Sequence, residues 1–188
     1  MKTASPTRNQ SYPNQPEITM QRSSRPPRDL NAVEACITIQ CTVEDTFRFY
    51  RDFTNLPRFL GDVMIVEEIG PGTSRWTIQG PMGIRVKWTI RLTEERANEL
   101  IRYETVAPTG LRTYWEVHFR PGSEAGQTEV REVMKTPFGR LGRVGLALIG
   151  KPPAGEVQSN LQRLKDLMED GMVTHTRHAV AGKFARNA

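Results

Sequence analysis

The sequence predicts an α+β fold, a seven-stranded curved antiparallel sheet around a long C-terminal helix in the order β-α-α-β6-α. Three observations carry this. Residues 33–41 alternate apolar and polar, as a half-buried strand does, and a short run at helical spacing follows. From Asp62 to Thr136 the chain reads as six strands divided by short turn signals, which only antiparallel neighbours can use. Val157, Leu161, Leu164 and Met168 then recur at helical spacing.

Each element has its own grounds. Val33, Ala35, Ile37, Ile39 and Cys41 are the apolar side of the first strand. Thr42 precedes Glu44 and Asp45, an N-cap followed by acids that suit the positive end of a helix. Val43, Thr46, Phe47, Tyr50 and Phe53 give that helix its inward face. Asn55 reads as the cap of a second short helix, with Pro57 in its first turn, where a missing N–H costs nothing. Strands follow at 63–68 and 74–79, stopped by Gly70-Pro-Gly72 and by Gly80-Pro-Met-Gly83. Ile84, Val86, Trp88, Ile90 and Leu92 alternate with Arg85, Lys87, Thr89 and Arg91, the cleanest amphipathic strand in the chain. Residues 100–106, 112–120 and 127–136 complete the sheet. An apolar piece at 141–149 is interrupted by Gly150-Lys-Pro-Pro153, because two prolines cannot continue a helix. The last helix should run for roughly 16 residues, about 24 Å, and Gly171 is its natural C-cap.

A chain of 188 residues suits one domain with a substantial core. Residues 1–31 are rich in Pro, Ser, Asn, Gln and Arg without a hydrophobic period, and are expected to be disordered. The domain is placed at 32–171, followed by a basic flexible tail at 172–188. The net charge of +5 divides into +3 in residues 1–31, +3 in 172–188 and −1 in between. Charge confined to the tails argues against a nucleic-acid partner and leaves at most a weak, salt-sensitive contact with an anionic membrane. Cys36 and Cys41 fall on opposite faces of one strand, so they cannot pair within it and read as reduced thiols of a cytoplasmic protein. No Cys/His cluster indicates a metal and no motif indicates a cofactor. The N-terminus has no apolar signal-peptide core, and the longest greasy run, 144–149, is too short to span a bilayer. Nothing here sets an oligomeric state.

Arg51-Asp-Phe-Thr-Asn-Leu-Pro-Arg-Phe59, Trp76-Thr-Ile-Gln-Gly-Pro-Met-Gly83 and Lys87-Trp88, in this order of elements, resemble the polyketide cyclase/dehydrase branch of the START-like (SRPBCC) superfamily. The resemblance covers about residues 33–171. It implies a helix-grip fold with a deep hydrophobic cavity for lipids, polyketides, sterols or quinone-like molecules. It brings no universal catalytic motif.

The candidate ligand-binding residues are Phe59, Trp76, Ile78, Trp88, Tyr103, Trp115, Val117 and Met134. The four large aromatics of the strands lie on the apolar parity, where they either stack on a planar ligand or simply pack the core. A buried Tyr103 also needs a partner for its hydroxyl. Glu132 shares its face with Thr128, Val130, Met134 and Thr136, where similar sequences tend to be apolar. In an apolar pocket its pKa would rise, fitting it for general acid or base work with Tyr103 as a second catalytic candidate. The alternatives are a bulge that lets Glu132 reach water, or pairing with a buried arginine. His118 lies on the polar parity with Glu116 and Arg120, and His175 and His178 fall in the tail. No Ser/His/Asp or Cys/His set assembles. Gly139-Arg-Leu-Gly-Arg-Val-Gly145 lacks the lysine of a P-loop and reads, with Pro152 and Pro153, as a gate at the mouth of the site. Arg58, Arg140 and Arg143 would rim that mouth and attract an acidic head group.

The leading expectation is therefore the binding of a small hydrophobic ligand between the sheet and the C-terminal helix. The alternatives are a cofactor-independent cyclase or dehydratase that uses the Glu132 carboxylate, and an interaction module that works through basic tails.

Overall fold

A computed structural model describes residues 32–80, 83–106, 112–135 and 153–185. The chain runs through β1 (Ala32–Ile39), α1 (Val43–Arg51), a 3-10 helix (Phe53–Arg58), β2 (Val63–Gly70) and β3 (Thr73–Gln79). It continues through β4 (Arg85–Arg96), β5 (Leu100–Val106), β6 (Tyr114–Pro121), β7 (Thr128–Lys135) and α2 (Pro153–Asp170). The seven strands form one sheet in the order β1-β7-β6-β5-β4-β3-β2, every pair antiparallel. Strands β2 to β7 follow one another as hairpins, and the two helical turns carry the chain from β1 on one edge to β2 on the other.

Local chemistry explains the connection. Thr42 caps α1, its Oγ1 accepting from the Asp45 N–H at 3.2 Å. The cap of the 3-10 helix is Asp52 rather than Asn55: Asp52 Oδ1 accepts from the Thr54 N–H at 3.0 Å. Asp52 already sits in extended backbone at the end of α1, so its carboxylate reaches the orphan N–H of the next turn. Asn55 lies inside that turn and donates to the Phe49 carbonyl at 3.2 Å. Strand β4 reaches Arg96, beyond Leu92, because a register shift between Leu92 and Glu94 lets it go on pairing with β5.

The register sorts the side chains into two faces. On the concave face Ala35, Glu132 and Val117 stand side by side, and Val33, Met134, Trp115 and Tyr103 form the next row. Helix α2, about 27 Å long at the standard rise, buries Val157, Leu161 and Leu164 in the core that this face lines. The convex face carries alternating charge: Arg102 bonds Glu94 and lies 3.4 Å from Glu116, which Lys135 meets at 3.1 Å. Pairs this exposed are worth up to about 1 kcal/mol each, so they specify the outer face more than they hold it. His118 belongs to the same face, 3.5 Å from Glu116.

Residues 172–185 correct the expectation of a flexible tail. Val173 and Phe184 are buried, and the Val180 N–H donates to the Gly61 carbonyl at 3.0 Å. Lys183 Nζ donates to the carbonyls of Leu60, at 2.5 Å, and Val63. Arg163 of α2 is fully buried. It donates to the Phe59 carbonyl at 2.6 Å, to the Arg177 carbonyl at 2.7 Å and to Asn160. Backbone carbonyls after the 3-10 helix need donors, and these two cations supply them. His175 and His178 join this packing rather than lying beyond the domain. His175 Nε2 is 3.2 Å from Ser159 Oγ, and a Cβ on Gly155 would meet the His178 ring at 2.9 Å.

The expectations for residues 1–31, the apolar piece at 141–149, the Gly139–Gly145 and Pro152 gate, and Arg140 and Arg143 lie outside the described residues. No helix among the described residues is long and apolar enough to cross a membrane.

Candidate functional site

The concave face carries a polar cluster of two tyrosines and a glutamate. Tyr50 comes down from the apolar stripe of α1, and its hydroxyl lies 3.2 Å from that of Tyr103 on β5. Both rings are buried. Glu132 projects from β7 between Ala35 and Val117, only 2% exposed, and its Oε2 has no hydrogen-bond partner. Burial, reinforced by the nearby Glu156 of α2, pushes the Glu132 carboxyl up to about 8. Burial likewise raises both tyrosine hydroxyls well above their ordinary value, and the charge of Glu132 adds to the effect on each. The β7 register runs unbroken through Glu132, so no bulge turns it toward water, and the charged neighbour that acts on it is Glu156 rather than an arginine.

An aromatic wall surrounds this centre. Tyr103 stacks on Trp115 with centroids 5.2 Å apart and planes 13° apart. Trp76 lies 5.7 Å from Tyr103 and donates its indole N–H to Ser74 Oγ at 2.8 Å. Phe53 meets Trp76 and Tyr103 edge-on, at 5.7 and 5.3 Å. Phe59 is fully buried against Tyr50, at 5.5 Å. Val117 is fully buried beside Glu132, whereas Ile78 and Met134 are half-buried against the same core. Trp88 differs. It shares the face of Trp76, directly opposite in the register, yet is 42% exposed. Strand parity fixes the side to which a residue points, and α2 packs at the β1 end, far from β4. A cleft of about 440 Å³ opens between the end of α1 and the β2–β3 turn, lined by Arg51, Glu68, Ser74 and Leu92 among others. Phe53 also lines it and separates it from Trp76 and Tyr103.

Sequence reasoning placed Tyr103 and Glu132 on the inner face and missed Tyr50 and Phe53 as their neighbours. A tyrosine on an otherwise apolar helical stripe was the available signal, since its hydroxyl must find a partner when buried. Arg58 stands apart from this centre, over the Phe49 ring at 5.2 Å and bonded to Asn55 at 3.2 Å. Cys36 is exposed, Cys41 half-buried, and both are free. Among the described residues no three His, Cys, Asp or Glu side chains are grouped to hold a metal ion.

A seven-stranded antiparallel sheet gripping a C-terminal helix is the helix-grip fold of START-like, hydrophobic-ligand-binding proteins. The family model for polyketide cyclase / dehydrase and lipid transport matches residues 31–169, and the chain belongs to that family. No curated protein matches the chain. Among solved structures it is similar to a protein of Deinococcus radiodurans at 25% identity and a TM-score of 0.59, over 75% of this chain and 99% of that one. It is similar to a protein of Thermus thermophilus at 22% identity and a TM-score of 0.57, over 72% and 94% of the two chains. The fold recurs in the di-domain ARO/CYC BexL from the BE-7585A biosynthetic pathway, at 16% identity and a TM-score of 0.54, over 71% of this chain and 47% of that one.

Proposed function

We propose that the protein binds one small hydrophobic molecule, a lipid, a polyketide or a quinone-like compound, between the concave face and α2. The observation that carries this reading is the unpartnered Oε2 of Glu132 beside the Tyr50–Tyr103 pair, set in an aromatic and aliphatic wall. A few convergent polar groups in a concave apolar surround are how small-molecule sites combine affinity with orientation. Phe59, Trp76, Ile78, Tyr103, Trp115, Val117 and Met134 would form the wall, and the half-exposed Trp88 would meet the ligand at its open end. Native mass spectrometry of freshly purified protein, followed by organic extraction, tests it. A stoichiometric small molecule that extraction releases is the expected result. A protein that is empty when purified and takes up no hydrophobic probe afterwards would refute the reading.

A second reading is a cofactor-independent cyclase or dehydratase. It is favoured by the same cluster, because a carboxyl titrating at about 8 can give or take a proton near neutral pH. Glu132 would be the acid or base and Tyr103 the hydrogen-bonding partner of the reacting oxygen. The interaction-module reading loses support from Lys183, whose ammonium is engaged with two backbone carbonyls.

A further inference from the structure

The polar centre holds hydroxyl and carboxyl groups whose hydrogen bonds are not all made within the fold. Tyr50 and Tyr103 share a single hydrogen bond, so one O–H is spent and the other is free. Glu132, buried and without a partner at Oε2, adds a second free O–H while it is neutral. Every element around it leaves it neutral. Helix α2 presents the Glu156 carboxylate, α1 and β5 present tyrosines, and β1 and β6 present Ala35 and Val117 in the register. Among the described residues no cation acts on Glu132. A carboxylic acid kept neutral by an apolar site can serve as a hydrogen-bond donor rather than as a base.

We propose that the Glu132 carboxyl and the Tyr50–Tyr103 pair together recognise a single acceptor oxygen, a ketone on an otherwise apolar ring system. The inference rests on the hydrophobic-ligand reading above and deepens it: the wall selects the ring and the two free O–H groups select the oxygen. Unmet donors in a buried site discriminate strongly against a ligand that lacks the matching acceptor, because the hydrocarbon leaves them stranded. Tyr50 becomes a specificity residue through the hydroxyl it shares with Tyr103. The preference for the ketone should fade as the pH rises through about 8, when the carboxyl ionises and turns from donor to acceptor.

The test is isothermal titration calorimetry of the full chain with α-tetralone and with tetralin, which differ by one ketone oxygen. The wild-type protein should bind the ketone about tenfold more tightly. Glu132→Leu should cut the ketone preference to what the remaining tyrosine O–H supplies while tetralin binding persists, and Glu132→Gln, which keeps an N–H donor, should retain more of it. Equal affinities in the wild-type protein, or a ketone preference that Glu132→Leu leaves undiminished, would overturn the proposal and leave the hydrophobic site standing. Tighter binding of 1-aminotetralin than of either would also overturn it, since the carboxyl would then act as an anion. If none of the probes binds and the purified protein is also empty, the hydrophobic-ligand reading itself falls; if none binds while a small molecule co-purifies, the ketone proposal alone falls.

Discussion

Replacing Glu132 with Gln should change how stability depends on pH, and the sign follows from the direction of the shift. The carboxyl titrates at about 8 in the fold and near 4.5 when free. Between those values the folded state holds a proton that the unfolded chain has lost, so raising the pH destabilises the native protein. The slope is about 1.4 kcal/mol per pH unit, and from about pH 5 to about pH 7.5 the loss reaches about 3 kcal/mol. Above about 8 it levels off, and below about 4.5 it vanishes. Glu132→Gln removes this dependence and leaves a buried amide whose cost, about 1–3 kcal/mol, is the same at every pH. The quantity to measure is therefore the difference between the two proteins as a function of pH. Urea unfolding of both at several pH values should show the variant gaining about 3 kcal/mol on the wild type between about pH 5 and about pH 7.5. Parallel pH profiles would refute the reasoning: they would mean that Glu132 is ionised and solvated or paired in the fold.

Five further substitutions can be checked by denaturant unfolding. Arg163→Met should cost about 3 kcal/mol or more, because it strands the carbonyls of Phe59 and Arg177, whereas the Asn160 oxygen keeps the Gly61 N–H at 3.0 Å. Phe184→Ala should cost about 3–5 kcal/mol, since the ring is buried under the Arg163 guanidinium at 5.2 Å; an unchanged midpoint would return residues 172–185 to the status of a loose tail. Gly61→Ala should cost about 1–3 kcal/mol, as its Cβ would lie 2.5 Å from the His178 carbonyl oxygen and 2.8 Å from Arg163 Nη2. Tyr50→Phe should cost about 1 kcal/mol by removing the hydroxyl pair with Tyr103, and Tyr103→Phe about the same.

What the sequence could and could not say follows from the range of the interactions. Alternation in Ile84–Leu92 and the Val157–Met168 stripe are local patterns, and both elements form where those patterns fall. Parity also put Glu132 on the inner face, because one strand suffices to set which side a residue takes. What parity omits is the cover. Trp88 has the same inward direction as Trp76 but not its burial, since that depends on where a helix from the other end of the chain comes to lie. The C-terminal segment departs from what its composition implies for a related reason. Composition counts Lys183 as a surface charge, but the fold brings two backbone carbonyls to its ammonium, and burial then lowers its pKa to about 8. Composition also hid that so polar a stretch buries Val173 and Phe184.

The same distinction separates a core from a site here. Arg163 and Glu132 are both buried ionisable groups in the same small domain. Arg163 has three acceptors and is satisfied, so its environment describes a structural joint between α2, the 3-10 helix and the C-terminal segment. Glu132 has an oxygen with none, although its neighbours in the register are an alanine and a valine that could have packed against a leucine at no polar cost. Folding alone gives no reason for a carboxyl at that position, and desolvating it works against stability at neutral pH. A group that the fold tolerates at a cost of several kcal/mol, next to two hydroxyls with a donor to spare, is best accounted for by something that arrives after folding and completes its hydrogen bonds.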